Sequence, residues 1–594
     1  GVLTRGNFRH EDDSIIPAFR AITEACHEYG TVMIHQIYHV GQHGDPDNSF
    51  EPNWSPSGQP SYHDSDGSHA VSGAEIEELI EAFAQAARRA KDCGFDGVEL
   101  FAAYHSLIEQ FWTPWSNRRD DRCGGAFENR MRFSTEMIER IRKYVGEDFI
   151  VGLAVSVDPD ADVTLSLEQL QEIARHHDER GLMDYITCGT GNYLDFGKLI
   201  PTVMYEDKFG VPFAAGLKEA VTHARVQAES HIRTPDNANY VVASGQADMV
   251  SIVRGQIADP HLAAKTMEGR PEDVRPCLSC NQLCWGRRYR DYWISCVINP
   301  SAGREFEWGG DRFTPAETPR RILVVGGGPA GLEAARVAAE RGHKVTLAEA
   351  SGELGGQFRL AGLQPRRAQI LDLIQWYETQ LQKLQVTVRY NTPMEAGEVA
   401  DFGADAVVLA TGSLPSESGF QRNLPHLDQL PGIERRNVWS VHDVMSRTAR
   451  PGTRVILLDD IGHWQGCGTA WHLAEQGHAV TLVVPHPMAA WDLLRTSVDW
   501  PLRRKLKELG VETITDSAVS EWHGDGATVV DLLSGGERRL EADALVFATV
   551  TQSETWLADE LAGSDLEIHP IGDCVAPRHA NMAIYEGRKL ALAL

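Results

Sequence analysis

RRILVVGGGPAGLEAARVAAERGHKVTLAEA, residues 320–350, decides how the second half of this chain folds. RILVV is a short β-branched run. Gly326-x-Gly328-x-x-Gly331 then turns the chain into an amphipathic helical stretch, and KVTLA follows as a strand ending at Glu349. Strand, glycine turn, helix, strand and acid in that order make a βαβ unit. The glycines let the backbone approach a pyrophosphate at a helix N-terminus, and Glu349 suits an adenosine ribose hydroxyl rather than a 2′-phosphate. The segment predicts a site for an adenine dinucleotide or ADP.

Downstream, TRVILLDDIGHWQGCGTAWHLAEQGHAVTLVV (453–484) repeats the strand–helix–strand pattern, including the ending GH-x-V-T-L. Its turn reads IGHWQGCG, with His463 and Trp464 bulky where a pyrophosphate must come close. A nucleotide fold that no longer binds is expected here. Near the C-terminus, Gly572-Asp573 stands in a loop-then-helix setting where flavoproteins hold the ribityl and pyrophosphate of FAD. With Gln357 added to the candidate set, this favours FAD in the first nucleotide fold, with ADP as the alternative.

Upstream lies a Gly- and Pro-rich linker, 297–318, and before it CLSCNQLCWGRRYRDYWISC, residues 277–296. Cys277, Cys280, Cys284 and Cys296 are spaced C-x2-C-x3-C-x11-C. Thiolates bind zinc or iron–sulfur clusters. Three cysteines in one compact loop with a fourth returning from beyond suit a [4Fe–4S] cluster. Zinc and free thiols are the alternatives. The six other cysteines are scattered, as in a cytosolic protein without a disulfide framework.

The first 270 residues alternate helix and strand. SGAEIEELIEAFAQAARRAKDCG (72–94) is an amphipathic helix, with Ser72 placed to cap it and Gly94 to end it. Strands are expected at 32–37, 97–103, 150–156, 184–188, 225–230 and 248–254. A closed (βα)8 barrel needs eight. The economical reading is a barrel whose two N-terminal βα units are absent from this sequence; the alternative is an open parallel sheet of six. The fold class expected is α/β, a TIM barrel followed by an iron–sulfur loop and two Rossmann-like folds. The domains are placed at 1–275, 276–318, 319–440 plus 551–594, and 441–550.

The 594 residues carry a net charge of −28, which argues against nucleic acid or an anionic membrane as partner. No apolar run is long enough to span a membrane, and GVLTRGNFRHEDD does not read as a signal peptide, so a cytoplasmic protein is expected.

With barrel, cysteine loop and two nucleotide folds in this order, the chain resembles the iron–sulfur flavoproteins built on an old-yellow-enzyme barrel, of the trimethylamine dehydrogenase and 2,4-dienoyl-CoA reductase type. The markers are IHQIYHVGQHG (34–44), LIEQFWTPWSNRRDDRCGGAFENRMRF (107–133), RGQIADP (254–260), the cysteine loop and GGGPAG (326–331). The resemblance implies FMN in the barrel, a [4Fe–4S] cluster beside it, and FAD or ADP in the first nucleotide fold. It assigns Gln36 to the flavin pyrimidine, Arg254 to the FMN phosphate and the four cysteines to the cluster. Two departures stand out. Ala154 replaces an Arg near the flavin, and Ser230 replaces a Gly of the phosphate loop.

Two reactions compete. A 2,4-dienoyl-CoA or enone reductase takes electrons from NAD(P)H and needs a proton donor; its tyrosine aligns with Ser106 and its histidine with Tyr193. An amine dehydrogenase oxidises an N-methyl carbon and sends electrons out singly through the cluster. At the strand end that holds a Tyr-x-x-His pair in trimethylamine dehydrogenase-like enzymes, this chain reads Phe101-Ala102-Ala103-Tyr104-His105. The segment is similar to the dimethylglycine or N-methylproline demethylase-like branch. The expected catalytic residues are Tyr104, His105 and Tyr193; Trp285 and Tyr289 are candidates to wall the substrate or shield the cluster. The expected function is oxidative demethylation of an N-methyl amino acid. An electron-transferring flavoprotein is the expected acceptor, and a homo-oligomer the expected assembly.

Overall fold

The computed structural model describes residues 12–44, 46–61, 66–160, 163–193, 195–288 and 292–594. The N-terminal reading and Tyr289 lie outside the described residues. The chain divides into two units, Gly1–Ile252 and Val253–Leu594.

In the first unit, six strands form one parallel sheet in chain order: Ile34–Ile37, Gly97–Phe101, Ile150–Val157, Tyr185–Thr190, Arg225–Ala228 and Met249–Val250. These are the six strands that the apolar runs predict. The inner strands Gly97–Phe101, Ile150–Val157 and Tyr185–Thr190 are buried along nearly their whole length, on both faces, as the strands of a covered parallel sheet are. The longest covering helix, Gly73–Asp92, starts where Ser72 accepts from Glu75 N while Glu75 reaches back to Ser72 N, a capping box. It buries Ile76, Leu79, Ile80 and Phe83 against the core, which also takes Leu100, Val151 and Leu153 from the strands.

The segment after the last strand bonds to the cysteine loop. Arg254 Nη1 donates to Asn281 Oδ1 at 2.7 Å, Asn299 Nδ2 to Ile257 O at 2.9 Å, and Arg275 Nη1 to Ala258 O at 3.2 Å.

The second unit holds two nucleotide-type sheets. The first runs Thr387–Arg389, Lys344–Ala348, Arg321–Val325, Ala406–Leu409 and Ile568–Pro570, all parallel. Its central turn needs glycine. A Cβ on Gly331 would sit 2.0 Å from Gly326 O, and Gly326 has φ 105°. The second sheet runs Val438–Ser440, Ala544–Ala548, Arg454–Asp459, Ala479–Val483 and Glu512–Ile514, with an antiparallel three-stranded flap over 517–541. The second fold is thus inserted between strands of the first. An antiparallel pair, Ser413–Pro415 with Thr551–Ser553, marks the crossing.

Candidate active site

Four of the barrel's six strands deliver candidate residues at their C-terminal ends, the face where such barrels place ligands. Gln36 is near the end of the first strand, exposed, with Nε2 donating to Glu99 Oε1 at 2.7 Å. Glu99 Oε2 accepts from Thr187 Oγ1 at 2.7 Å, and Gln227 Nε2 donates to Thr187 Oγ1 at 3.2 Å, so one polar row crosses the sheet. Gln36 Oε1 has no donor among the described residues and is open to a ring N–H, which fits a flavin pyrimidine.

Beyond the strand Gly97–Phe101 the chain turns sharply. Tyr104 and His105 both take left-handed φ, 58° and 61°, an arrangement costly for residues with a Cβ. The turn is held by Tyr104 N donating to Ser156 Oγ (2.7 Å) and His105 N donating to Glu109 Oε2 (2.6 Å). It sends the two neighbours to different places. Tyr104 donates its hydroxyl to Glu229 Oε1 at 2.9 Å. Burial, then the Glu229 charge, holds its phenol well above the usual range. His105 is fully buried, with Nδ1 3.0 Å from His43 Nε2 and Nε2 3.1 Å from Ser116 Oγ. Burial lowers its pKa to about 3, so it stays neutral across the working range.

Aromatic rings gather around Tyr104. Tyr38 lies 5.3 Å from Phe101, Phe101 5.5 Å from Tyr104, Tyr104 6.3 Å from Tyr193, and Tyr193 5.7 Å from Phe196, centroid to centroid. Sequence reasoning missed Glu229. The signal was a lone acid closing the apolar strand Arg225–Ala228. Burial raises its pKa to about 7, with the Tyr104 hydrogen bond opposing and the Glu99 charge adding. Ser230 and His231, next in the chain, have φ 72° and 67°. A serine holds the left-handed conformation that a glycine adopts freely, so the loop keeps its shape without its glycine. Ser106 donates Oγ to Phe101 O at 2.9 Å, and its hydroxyl is thereby committed to the backbone.

In the second unit, the four cysteines of the loop are neighbours. Burial raises the thiols of Cys280, Cys284 and Cys296, the last to about 12, and charge on the other cysteines raises each further. Ser279 N donates to Cys277 Sγ at 3.4 Å. Among the described residues, the group with three ligand atoms within 4.8 Å of one another is His463, Asp492 and His579, not the thiols. Four sulfurs around one zinc would lie only about 3.8 Å apart for a Zn–S bond of ~2.3 Å. Arg254 is tied to Asn281 of this loop.

The first nucleotide fold opens into a cavity of about 380 Å³, within the range of small-molecule sites. Gly326, Gly328 and Glu349 line one part, Gln357 and Asp573 another, and Leu278 and Cys280 a third. Glu349 Oε2 accepts from Gly327 N at 2.8 Å, and its Oε1 from Ser351 N at 2.7 Å. Gln357 Nε2 donates to Ser413 Oγ at 2.9 Å, and Ser413 Oγ to Asp573 Oδ2 at 3.2 Å. Gly331 packs the helix start, and Gly572 N donates to Glu586 Oε2 at 2.7 Å. The cavity thus extends from Glu349 to Cys280 of the cysteine loop.

The second fold is built differently. Asp459 is fully buried, and its Oδ1 accepts from Gly462 N (2.9 Å) and Ile461 N (3.1 Å). The turn amides that would cradle a pyrophosphate already hold a carboxylate. Trp464 is buried under the Arg367 guanidinium, 4.7 Å from its ring.

Residues 1–273 match the NADH:flavin oxidoreductase / NADH oxidase family, and 320–587 the pyridine nucleotide-disulphide oxidoreductase family. The chain is 33% identical to the N,N-dimethylglycine/sarcosine dehydrogenase of Chromohalobacter salexigens, over 97% of this chain and 88% of that protein. It is 32% identical to a "probable N-methylproline demethylase" of Rhizobium meliloti, again over 97% and 88%. The fold superimposes on a 2-naphthoyl-CoA reductase with a TM-score of 0.92 and 29% identity, covering 100% of this chain and 90% of that one.

Proposed function

From a chain that belongs to the NADH:flavin oxidoreductase / NADH oxidase family, with a pyridine nucleotide-disulphide oxidoreductase domain after its flavin barrel, and that is an FMN-dependent oxidoreductase, we propose a narrower activity. It oxidatively demethylates a secondary or tertiary N-methyl amine of the N-methyl amino acid type. The observation that carries this reading is the Tyr104–Glu229 pair set in an aromatic box. Ring faces attract a methylated ammonium, and a carboxylate beside them completes the site for a cation. The similarity to a dimethylglycine/sarcosine dehydrogenase points the same way.

Gln36 would hold the FMN pyrimidine. Bound FMN supplies the acceptor for a hydride leaving the N-methyl carbon. The residues of the chain prepare the amine. Loss of hydride needs a free nitrogen lone pair, so the ammonium must first give up its proton. Glu229, with its pKa near 7, takes that proton through the Tyr104 hydroxyl. Tyr104 itself stays a phenol. Tyr193 closes the box, and His105 orients the turn from behind rather than acting as a base. Water hydrolyses the resulting iminium to formaldehyde and the demethylated amine. Cys277, Cys280, Cys284 and Cys296 would hold a [4Fe–4S] cluster that passes electrons on singly. The first nucleotide fold would hold FAD, and an electron-transferring flavoprotein would accept the electrons.

The test is anaerobic. Dimethylglycine or N-methylproline should bleach the flavin absorbance while NADPH does not. Bleaching by NADPH alone would overturn the proposal and make the protein a 2,4-dienoyl-CoA or enone reductase.

A further inference from the structure

Where the nucleotide cavity meets the cysteine loop, two buried polar atoms have no hydrogen-bond partner among the described residues: Arg367 Nη1 and Gln364 Oε1. Both residues line the cavity, and they are only 9% and 6% exposed. Neither side chain is loose. The Gln364 amide nitrogen donates to Trp464 O at 3.1 Å and to Thr469 Oγ1 at 3.3 Å, which points its oxygen away from those acceptors. Arg367 stacks on Trp464 at 4.7 Å. No carboxylate pairs with it among the described residues, and the Cys280 thiol lies near it. A buried donor and a buried acceptor left unpaired are each unfavourable, and where both line a cavity a bound ligand, ion or water can satisfy them.

The ligand must offer an N–H beside a carbonyl on one edge and must tolerate, or welcome, a positive charge. The pyrimidine edge of an isoalloxazine has this pattern, carbonyl, N–H, carbonyl, and it becomes anionic on reduction. The phosphate end of an ADP has no such edge. We propose that Gln364 and Arg367 read the pyrimidine edge of an FAD whose ring lies against the cysteine loop. Gln364 Oε1 accepts the ring N–H, and Arg367 donates to an adjacent carbonyl. The Arg367 charge favours the reduced ring and so sets the direction of electron flow between this flavin and the cluster. The second fold supplies the floor through Trp464, which explains why its own nucleotide turn is filled. This inference rests on the FAD reading above and not on the choice of substrate.

The test uses the holoenzyme. Nucleotide released on denaturation is identified first, and FAD is expected. Spectroelectrochemical titration with a chemical reductant then compares wild type with Arg367→Met and Arg367→Lys. Arg367→Met should weaken binding of the reduced over the oxidised ring roughly tenfold, a fall of about 59 mV in a one-electron midpoint. The FMN midpoint and iron content should not change, and Arg367→Lys should restore most of the loss. A wild-type FAD midpoint in Arg367→Met, or release of ADP alone, overturns the proposal. No amine enters the titration, so a protein inert to amines still answers the question.

Discussion

Tyr104 and Glu229 stand 125 positions apart in the chain and meet at 2.9 Å, phenol to carboxylate, at the ends of two different barrel strands. The pair joins a group that cannot ionise near neutrality to one that can.

Glu229→Gln should remove a pH dependence of stability. Burial raises the Glu229 pKa from the ordinary 4.5 to about 7. The folded chain therefore binds the proton more tightly than the unfolded one, and stability falls as pH rises from about 4.5 to about 7. Relative to wild type, the glutamine variant should gain roughly 3 kcal/mol between pH 4.5 and 8. Denaturant melts across that range measure it. The same variant should lose the limb near pH 7 in kcat/KM for the amine.

His105→Ala should destabilise without moving that limb. The substitution removes the ring partner of His43 Nε2 and one contact of Ser116 Oγ, at a cost of roughly 1–3 kcal/mol. With its pKa lowered to about 3, His105 binds its proton less readily folded than unfolded, so its own effect on stability appears only as pH falls below about 6.5 toward 3. A shifted kcat/KM limb near neutrality would instead make it the base.

Ser230→Gly should stabilise the barrel by up to about 1 kcal/mol. The left-handed φ of 72° costs serine about 1–2 kcal/mol, and the extra freedom of glycine in the unfolded chain offsets part of the gain. The melting midpoint reports it, and a decrease would show that the serine side chain has work to do in the loop.

Cys280→Ser should abolish most bound iron and the broad visible absorbance of the cluster while FMN stays. The thiol is buried beside Arg367 and the other cysteines, and serine replaces the soft sulfur by oxygen. Metal analysis that finds one zinc per chain in the wild type would contradict the cluster.

Much of this fold is legible from the sequence because it is repetitive. Apolar runs such as Ile150–Val157 and the turn at Gly326–Gly331 carry local patterns that need no partner to be recognised. The cysteine spacing is local too. What escapes is contact between distant positions. Nothing near His105 says that its ring is locked by His43, 62 residues away, and nothing near Gln364 announces Trp464, 100 residues away. The helix Arg254–Ala258 continues the rhythm of the strands before it, and nothing in it announces the bond from Arg254 to Asn281 of the cysteine loop. Ser230 departs from the glycine expected in its loop, and only its backbone angle shows that it keeps a glycine's conformation; Glu229 beside it gives no local sign of its bond to Tyr104, 125 residues away.

The insertion of one nucleotide fold within the other orders their assembly in time. The strand Ile568–Pro570 pairs with Val407–Leu409, and the helix Ala580–Ala593 lies so close to Pro329–Glu340 that a Cβ on Gly587 would come within 2.4 Å of Ala330 O. A nascent chain leaving the ribosome has 321–409 in hand long before 568–593 arrives. The contiguous inserted fold can close meanwhile, whereas its host waits with an open sheet edge and an uncovered helix face. Cofactor loading in the host is therefore a late event in synthesis. A chaperone or the inserted fold itself must shield those surfaces until then.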